Sequence, residues 1–292
     1  MIDRPIMTPK NVRSDLIYDV GLFDGGDTAY YLFRGYRVVA IDANPLAVQR
    51  AKLRFSREIE AGRLTLLNVG VAEAPGTATF WISDVPQFSS FDPALATRGG
   101  VRANRVPVPV APFSQILSEN GVPYYLKIDI EGNDRHCLNA LRGTRTPKYI
   151  SVEAEHPGDS ETFDDDQATA ILSLLRDVGY QRFKLVNQVE WTPVRPNRFA
   201  AFGRRLAASA AGGRLKVKGL SKIAERFTDS ARIKELGFDF SFGSSGPWGD
   251  DIPGAWMPFE KARATYLRER RAYFSANRPL HTFWYDWHAT SE

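Results

Sequence analysis

The sequence predicts a single α/β domain with a mostly parallel sheet of seven strands, helices on both faces and a basic insertion before the last strand. Short apolar runs alternate with amphipathic stretches from Asp15 to His156, which is typical of βαβ units. A glycine-containing turn follows the first apolar run, and an acidic residue ends the second. Both features are typical of open sheets that bind a ligand at the carboxyl ends of their strands.

The predicted elements follow one another in a regular order. Strands are expected at residues 16–20, 36–41, 64–68, 124–130, 149–154, 182–187 and 281–288. Helices are expected at residues 28–34, 45–59, 134–141 and 166–178. Pro45 suits the first position of its helix, and Gly179 suits the end of the last one.

The chain between the third and fourth strands has a different pattern. Residues 71–82 predict a hairpin, and the polar loop at residues 83–105 could serve as a lid. Residues 106–110 contain two prolines, which donate no backbone hydrogen bond. This run is therefore expected to be an edge strand or an extended connection.

The whole chain, residues 1–292, is interpreted as one domain with an inserted stretch. Residues 15–188 form the predicted core, residues 189–280 the insertion, and residues 281–292 carry the last strand. Within the insertion, the sequence Gly-Ser-Ser-Gly-Pro-Trp-Gly at residues 243–249 predicts turns rather than core.

The positive charge of the chain is concentrated in the insertion. Residues 195–234 contain eleven Lys or Arg against two acids, whereas the whole chain carries a net charge of only +4. Such a patch favours an anionic substrate or an anionic membrane surface as partner, although a solvated surface is the alternative. An apolar stripe from Leu220 to Ala231 could lie on a membrane or pack on the domain itself. No recognised nucleic-acid motif is present, so nucleic acid is not the expected partner.

The remaining composition indicates the compartment. Cys137 is the single cysteine, so no intramolecular disulfide can form, which fits a reducing environment. The first residues lack the apolar run of a signal peptide, and no stretch approaches the roughly 20 apolar residues of a membrane span. We therefore expect a soluble, cytoplasmic protein.

The turn after the first strand predicts a nucleoside-binding site. Gly21 and Gly25 lack a Cβ atom and let the backbone turn sharply, and Asp27 with Thr28 can cap the following helix. Asp42 ends the second strand, where a carboxylate can accept both hydroxyls of a ribose. The predicted cofactor-binding residues are Asp19, Gly21, Phe23, Gly25, Asp27, Thr28, Asp42, Ala43, Asn68, Val69 and Asp129. Taken singly, the glycines could be ordinary turn residues and Asp42 a helix N-cap.

The spacing and charge of this turn distinguish between nucleosides. A dinucleotide site uses G-x-G-x-x-G, but here Phe23 occupies the middle glycine position. Asp24 and Asp27 add negative charge where a pyrophosphate would have to approach. The turn therefore favours a cationic or zwitterionic ligand such as a sulfonium donor, with an NAD-dependent dehydrogenase or epimerase as the alternative.

Four motifs resemble the FkbM family of methyltransferases. They are Asp19-Val-Gly-Leu-Phe-Asp-Gly25, Ser89-Ser-Phe91, Lys127-Ile-Asp-Ile-Glu-Gly132 and Trp284-Tyr-Asp-Trp-His-Ala289. The resemblance implies a Rossmann-like class I methyltransferase sheet with a final antiparallel strand, and S-adenosyl-L-methionine as donor. It also implies O-methylation of a hydroxyl on a sugar, glycan or secondary metabolite. The sequence departs from the family at Phe23, where members often carry Asn, and in the basic insertion.

Methylation of a hydroxyl requires its deprotonation, so a general base is expected at the strand ends. The predicted catalytic residues are Asp129, Glu131, Glu153 and His156, and no metal site is predicted. Lys127 and Asp129 share one face of their strand by the period of two, and they could instead form a structural ion pair. A further alternative is a non-catalytic, methyltransferase-like adaptor for nucleic acid or membranes.

Overall fold

A computed structural model describes residues 12–130, 132–143, 146–154, 164–194, 229–241, 243–275 and 283–292. In chain order the described strands are β1 (Val12–Val20), β2 (Arg37–Asp42), β3 (Leu64–Asn68), β4 (Gly70–Val71), β5 (Gly76–Ser83), β6 (Ala103–Ala111), β7 (Val122–Ile128), β8 (Tyr149–Glu153), β9 (Arg182–Asn187), β10 (Thr192–Pro193) and β11 (Tyr285–Thr290). The described α-helices are α1 (Gly26–Phe33), α2 (Pro45–Arg54), α3 (Ser56–Glu60), α4 (Pro93–Ala96), α5 (Phe113–Asn120), α6 (Asp134–Ala140), α7 (Ala170–Val178), α8 (Asp229–Lys234) and α9 (Phe259–Ser275).

The large sheet confirms the predicted α/β fold. Its strand order is β10-β9-β11-β8-β7-β1-β2-β3. β11 runs antiparallel between β8 and β9, and the strands from β8 to β3 are parallel. The seven predicted strands are all present, and the two-residue strand β10 adds an eighth. The last strand begins at Tyr285 rather than at residue 281, and residues 281–282 lie outside the described residues.

A separate three-stranded sheet has the order β4-β6-β5. The predicted hairpin at residues 71–82 is therefore wrong, because β6 lies between the two strands that were expected to pair. Pro107 and Pro109 lie where β6 has only β5 beside it, since β4 reaches only Val110 and Ala111. This placement agrees with the expected edge position. Proline has no backbone N–H to donate, and at Pro107 and Pro109 no second strand lies beside β6 that would need that donor.

Helix ends follow local capping chemistry. The predicted helix at residues 45–59 is present but is broken at Phe55 into α2 and α3. Asn44 caps α2 by accepting a hydrogen bond from the backbone N–H of Leu46 at 3.0 Å. Gly179 ends α7 in the left-handed region with φ of 119°, as predicted.

Two hydrophobic cores lie on opposite faces of the large sheet. One face packs apolar strand residues such as Tyr18 and Ile128 against α5, α6, α7 and α9. The other face packs Ile17 and Tyr125 against α1 and α2 and against Trp248. Helices therefore cover both faces, and the chain between β10 and β11 contributes α9 to one core and Trp248 to the other.

Residues 243–252, named here the crossing segment, lack a regular strand, contain a short 3-10 helix at Gly249–Asp251 and place Trp248 in the core that also holds α1. The expectation that residues 243–249 form turns outside the core is wrong, because Ser244 to Gly249 are all buried. Trp248 stacks on Tyr125 with ring centroids 5.0 Å apart. The buried Lys184 donates to the carbonyl oxygens of Gly249 at 3.1 Å and Ile252 at 2.6 Å. The short side chains at residues 243–246 suit this narrow space. The glycines and serines that predicted turns therefore allow close packing here.

Most of the basic stretch lies outside the described residues. Residues 195–228, with most of the apolar stripe, are not described, and α8 holds the remaining residues 229–234. The predicted anionic partner therefore stays a prediction. Within the part of the chain that the structure describes, no helix is long and apolar enough to cross a membrane.

Candidate active site

A cleft opens at the carboxyl ends of β1, β2, β3 and β7. It holds about 1030 Å³, including its open mouth, which suits a small-molecule ligand. Residues from the turn after β1 and from the end of β2 line one side, and residues from the two sheets and the crossing segment line the other. The cleft therefore lies where an open α/β sheet is expected to bind its ligand.

Gly21 joins three strands at the floor of the cleft. Its N–H donates to the carbonyl oxygen of Ile41 at 2.9 Å, and its φ is 91°. A Cβ atom at this position would lie 1.8 Å from the carbonyl oxygen of Asp129. Glycine is therefore required here because the end of β7 approaches the turn too closely for any side chain.

Phe23 departs from the family pattern but has the backbone conformation that suits the asparagine often found there. Its φ of 50° lies in the left-handed region, which asparagine adopts more readily than most other residues with side chains. The N–H of Phe23 donates to Asp42 Oδ2 at 2.9 Å. The turn geometry at this position is thus retained with a residue that is less suited to it.

Asp42 is fixed at the end of β2 by backbone donors. Its Oδ2 accepts from Phe23 N, and its Oδ1 accepts from Asn44 N at 2.7 Å. Asn68 Nδ2 donates to the carbonyl oxygens of Asp42 at 3.0 Å and Ala43 at 3.1 Å. Burial raises the pKa of Asp42 to about 6. Because Asn44 is the N-cap of α2, Asp42 does not have that role, and its carboxylate faces the cleft.

Lys127 holds three carboxylates together beneath the cleft. Its Nζ lies 3.1 Å from Asp19 Oδ1 and 3.9 Å from oxygens of both Asp27 and Asp129. It also donates to the carbonyl oxygen of Gly21 at 2.5 Å. Burial opposes the charged ammonium, but the three carboxylates raise the pKa of Lys127, so the lysine stays charged.

One lysine does not neutralise three buried acids. Burial raises the pKa of Asp27 to about 7 and raises the pKa of Asp129 as well. The cleft wall contains Asp24, Asp27, Asp42 and Asp129, and its basic residues are Lys127 and Arg50. The excess of carboxylates favours a ligand with positive charge, as expected from the sequence.

The structure divides the predicted cofactor-binding residues into two groups. Seven of them form part of the cleft wall: Gly21, Phe23, Asp27, Asp42, Ala43, Val69 and Asp129. Asp19, Gly25, Thr28 and Asn68 are not part of this wall. Asp19 is fully buried and accepts a hydrogen bond from the Thr28 hydroxyl at 2.6 Å, so it orients Lys127 from below.

The predicted catalytic residues are not all brought together. Asp129 belongs to the cleft wall, and its side chain is 20% exposed. Glu153 lies at the end of β8, opposite Asp286 of β11, and is not part of the wall. Glu131 and His156 lie outside the described residues. Among the residues that are described, no three His, Cys, Asp or Glu side chains converge to hold a metal ion.

Sequence reasoning missed one wall of the cleft. Gly243, Ser244 and Trp284 form this wall together with Phe80, Pro86, Gln87, Ser89 and Phe91. Asp27 joins the crossing segment to α1, since it accepts from Ser245 N at 2.9 Å and from Gly246 N at 3.2 Å. The family motifs contained Ser89, Phe91 and Trp284, so the resemblance held a signal for part of this wall. Nothing local in residues 243–246 indicated it.

The strand order, the antiparallel β11 and an acidic cleft over Gly21 define the Rossmann-like class of methyltransferases. The family model described as Methyltransferase FkbM domain matches residues 19–182, which is more than half of the chain. The protein therefore belongs to the FkbM methyltransferase family and is an S-adenosylmethionine-dependent methyltransferase.

Solved structures with a similar fold include three methyltransferases. A proposed rRNA methylase from Clostridium thermocellum is 16% identical, with a TM-score of 0.34 over 64% of this chain and 86% of the other. Phosphoethanolamine N-methyltransferase 2 of Haemonchus contortus is 10% identical, with a TM-score of 0.35 over 96% and 49% of the two chains. A methyltransferase from Geobacter sulfurreducens is 13% identical, with a TM-score of 0.32 over 96% and 85%. These scores are low, so membership of the family rests on the family model.

One curated relative matches a short part of the chain. A stretch of 77 residues is 36% identical to L-carnitine dehydrogenase of Streptomyces coelicolor. The stretch covers 26% of this chain, and the chain spans about a quarter, 23%, of the length of that relative.

Proposed function

We propose that the protein is an O-methyltransferase that methylates a hydroxyl group of a sugar, glycan or secondary metabolite. The observation that carries this proposal is the cleft itself, in which the carboxylate of Asp129 lies on the wall beside a nucleoside-type corner. The donor, when bound, supplies an electrophilic methyl group on a positively charged sulfur. The chain has to bind that donor, align the acceptor and take up one proton.

The residues of the cleft fit such a donor. Asp42 ends β2 with its carboxylate at the cleft, where it would accept the ribose hydroxyls, and Ala43 and Val69 would flank the base. The acidic cleft lining would attract the charged methionine end, because its carboxyl groups outnumber its basic side chains. A pyrophosphate would meet these carboxylates with the same sign of charge, which disfavours a dinucleotide.

Asp129 is the general base that the geometry favours. It is the one predicted catalytic residue among those described that belongs to the cleft wall. Burial raises the pKa of Asp129, and a more basic carboxylate is a better proton acceptor. The hydroxyl proton would pass to a carboxylate oxygen of Asp129 as the acceptor oxygen bonds to the methyl carbon and the bond between that carbon and the donor sulfur breaks, which leaves S-adenosylhomocysteine and a methyl ether. Glu131, two residues further along the chain, is the second candidate for this role.

Calorimetry with S-adenosylhomocysteine and, separately, with NAD tests the donor half of the proposal. Binding of S-adenosylhomocysteine alone is expected, and binding of NAD alone would establish a dehydrogenase or epimerase instead. Labelled donor incubated with metabolite and glycan fractions of the native host, followed by mass spectrometry, tests the acceptor half. A labelled product that releases methyl iodide on ether cleavage with hydriodic acid is expected, whereas label on nitrogen or carbon contradicts O-methylation.

A non-catalytic adaptor would give a different pattern. Its binding to nucleic acid or anionic vesicles would weaken steeply with salt, and it would show no affinity for S-adenosylhomocysteine. The same calorimetric experiment therefore separates an enzyme from an adaptor.

A further inference from the structure

The helix α2 exposes two leucines on the side that faces away from the core. Leu46 is 50% exposed and Leu53 is 78% exposed. Residues seven apart are separated by about two turns of an α-helix, so both leucines lie on one side of it. Ala47, Val48 and Ala51 form the buried side of the same helix. The two leucines therefore point into solvent from the outer side of α2.

This pair differs from the other exposed apolar side chains. Among the described residues, only two further large apolar side chains are exposed, Phe33 and Val189. The Phe33 ring packs beside Phe238, with ring centroids 5.4 Å apart, and Val189 stands alone between β9 and β10. Single exposed apolar residues are ordinary in soluble proteins. Two of them on one side of one helix form a small apolar patch that requires an explanation.

Positive charge surrounds this patch. Residues 45–63 contain five basic residues and two acids, and α2 itself contains no acid. Arg50, Lys52 and Arg57 are all exposed. Glu58, one of the two acids, already accepts a hydrogen bond from Arg63 at 3.1 Å. The patch and its surroundings therefore present an excess of positive charge to any partner.

Arg50 connects the patch with the cleft. It lies four residues after Leu46 and three before Leu53, which places it between them on the outer side of the helix. Arg50 also lines the cleft. The helix begins directly after the end of β2, where the carboxylate of Asp42 faces the cleft. The surface formed by Leu46, Arg50 and Leu53, named here the outer face of α2, therefore borders the cleft mouth.

We infer that the outer face of α2 docks on an anionic lipid surface. Helices that lie at a membrane surface combine apolar side chains, which enter the acyl boundary, with basic side chains, which attract anionic headgroups. Leu46 and Leu53 supply the first feature, and Arg50 with the flanking Lys52 and Arg57 supplies the second. Docking in this orientation brings the cleft mouth to the lipid surface, because Arg50 belongs to both.

A protein partner fits this face less well. A helix of ten residues is about 15 Å long and about 10 Å wide, so its outer side offers roughly 150 Å². Each side of a stable protein interface contributes about 800 Å². The centre of such an interface is also depleted of charged residues, whereas Arg50 lies between the two leucines. A fluid lipid surface needs neither a large rigid area nor an uncharged centre.

Vesicle flotation of the full chain tests the inference. The vesicles consist of phosphatidylcholine alone or of phosphatidylcholine with about one third phosphatidylserine. We expect the protein to float with the anionic vesicles at about 0.1 M salt. Binding should weaken at least about tenfold at about 0.5 M salt, where surface charges are more strongly screened, and also on the neutral vesicles.

Two double variants test the two parts of the surface. Leu46→Ser with Leu53→Ser removes the apolar part and should weaken binding to the anionic vesicles at least about tenfold. Lys52→Gln with Arg57→Gln removes two charges and should also weaken it about tenfold or more. None of these four side chains lines the cleft, so affinity for S-adenosylhomocysteine should change less than about twofold.

Matched controls carry the same changes elsewhere. Val189→Ser replaces an exposed apolar side chain between β9 and β10. Arg142→Gln with Arg182→Gln removes two exposed charges that follow α6 and begin β9, and β9 lies near the opposite edge of the large sheet from β3. Both controls should bind the anionic vesicles within about twofold of the wild type. If the leucine variant does not fold, the variant of Lys52 and Arg57 decides the matter.

Three outcomes would overturn the inference. Wild-type protein that binds no anionic vesicle is the first. The second is vesicle binding that neither α2 variant weakens more than the controls do, which would assign the lipid contact to another surface, such as the basic residues 195–234. The third is a wild-type dimer, detected by light scattering, that the leucine variant converts to a monomer. That result would assign the outer face of α2 to a second copy of the chain.

Discussion

The carboxylate of Asp27, in the first turn of α1, accepts the backbone N–H of Ser245 at 2.9 Å across a separation of 218 residues. Its second oxygen accepts the next N–H of the crossing segment, and its pair with Lys127 reaches the floor of the cleft. One buried acid therefore connects the donor corner with the wall supplied by the insertion.

Asp27→Asn should destabilise the protein and loosen this wall. An amide can accept one of the two backbone hydrogen bonds, but its NH2 group then faces the other N–H. We expect the free energy of unfolding to fall by about 1–3 kcal/mol, measured by urea denaturation. Asp24→Asn is the matched control, because its remaining oxygen can still accept from Gly26 N, and it should change stability little. Equal loss in both variants would contradict the special position of Asp27.

Gly21→Ala should be among the most damaging small substitutions in the protein. The added methyl group would meet the carbonyl oxygen of Asp129 at 1.8 Å, in addition to the strain of a positive φ. We expect a loss of about 3 kcal/mol or more in unfolding free energy, together with loss of binding to S-adenosylhomocysteine. Gly35→Ala is the control, because its φ is 84° but nothing lies within 4 Å of the added atom. Strain alone should lower stability there by about 1–2 kcal/mol. Similar losses at both positions would rule out the steric argument.

Asp129→Asn should separate chemistry from donor binding. The amide cannot take up the hydroxyl proton, so kcat should fall by about 10²–10⁴-fold, with affinity for S-adenosylhomocysteine changed far less. In the wild type, kcat should rise with pH as Asp129 loses its proton, and the variant should lack this rise. Glu153→Gln is the matched control outside the cleft wall. Wild-type turnover in Asp129→Asn would assign the base elsewhere, with Glu131→Gln as the next variant.

Asp42 gives the protein a pH-dependent stability. Burial raises its pKa from the ordinary 3.8 to about 6, so the unfolded chain releases this proton more readily than the folded one. The contribution of Asp42 is complete below about pH 4 and is lost as the pH rises through about 6. Asp42→Asn should remove this part of the slope when urea denaturation is compared with wild type across that range. An identical slope in both proteins would show that Asp42 is ionised throughout.

His288 should make the stability depend on pH in the opposite direction, so that stability falls as the pH falls. It is 1% exposed on β11, and burial lowers its pKa to about 3. The folded state therefore holds it neutral, and the unfolded chain takes up a proton below the ordinary value of 6.5. Its contribution to stability is present above about pH 6.5 and is lost as the pH falls towards 3. His288→Gln should flatten the acid side of the stability profile, with the partly exposed His136→Gln as control. Acid sensitivity that persists in His288→Gln would place its source in other groups.

The order of strands and the donor corner could be predicted because their signals are local. The apolar runs and glycine turns that specify β1, β2 and β7 lie within a few residues of one another, and the period of two placed Lys127 and Asp129 on one face. The approach of Asp129 to Gly21 could not be read from the sequence, because it depends on the register between β1 and β7.

The sequence predictions that were wrong have one physical origin, because contacts between residues far apart in the chain determine the structure at those positions. The predicted hairpin at residues 71–82 is wrong because β6 pairs with both β4 and β5 from 20 to 40 residues away. The crossing segment has the composition of a turn, and partners distant in sequence, such as the ring of Tyr125 and the carboxylate of Asp27, make it part of the core. The helix α9 was missed although residues 259–275 are rich in helix-forming Ala, Leu, Glu, Lys and Arg.

The position of the crossing segment also determines when the cleft can form during synthesis. A ribosome has to release the chain well beyond Ser245 before Asp27 meets its donors, and β11 with Trp284 emerges later still. The nascent chain can build β1, α1 and β2 early, but Asp27 lacks its backbone donors until the crossing segment has emerged. The corner around Gly21 can thus form first, and the part of the cleft lined by the crossing segment and Trp284 is added only later in synthesis.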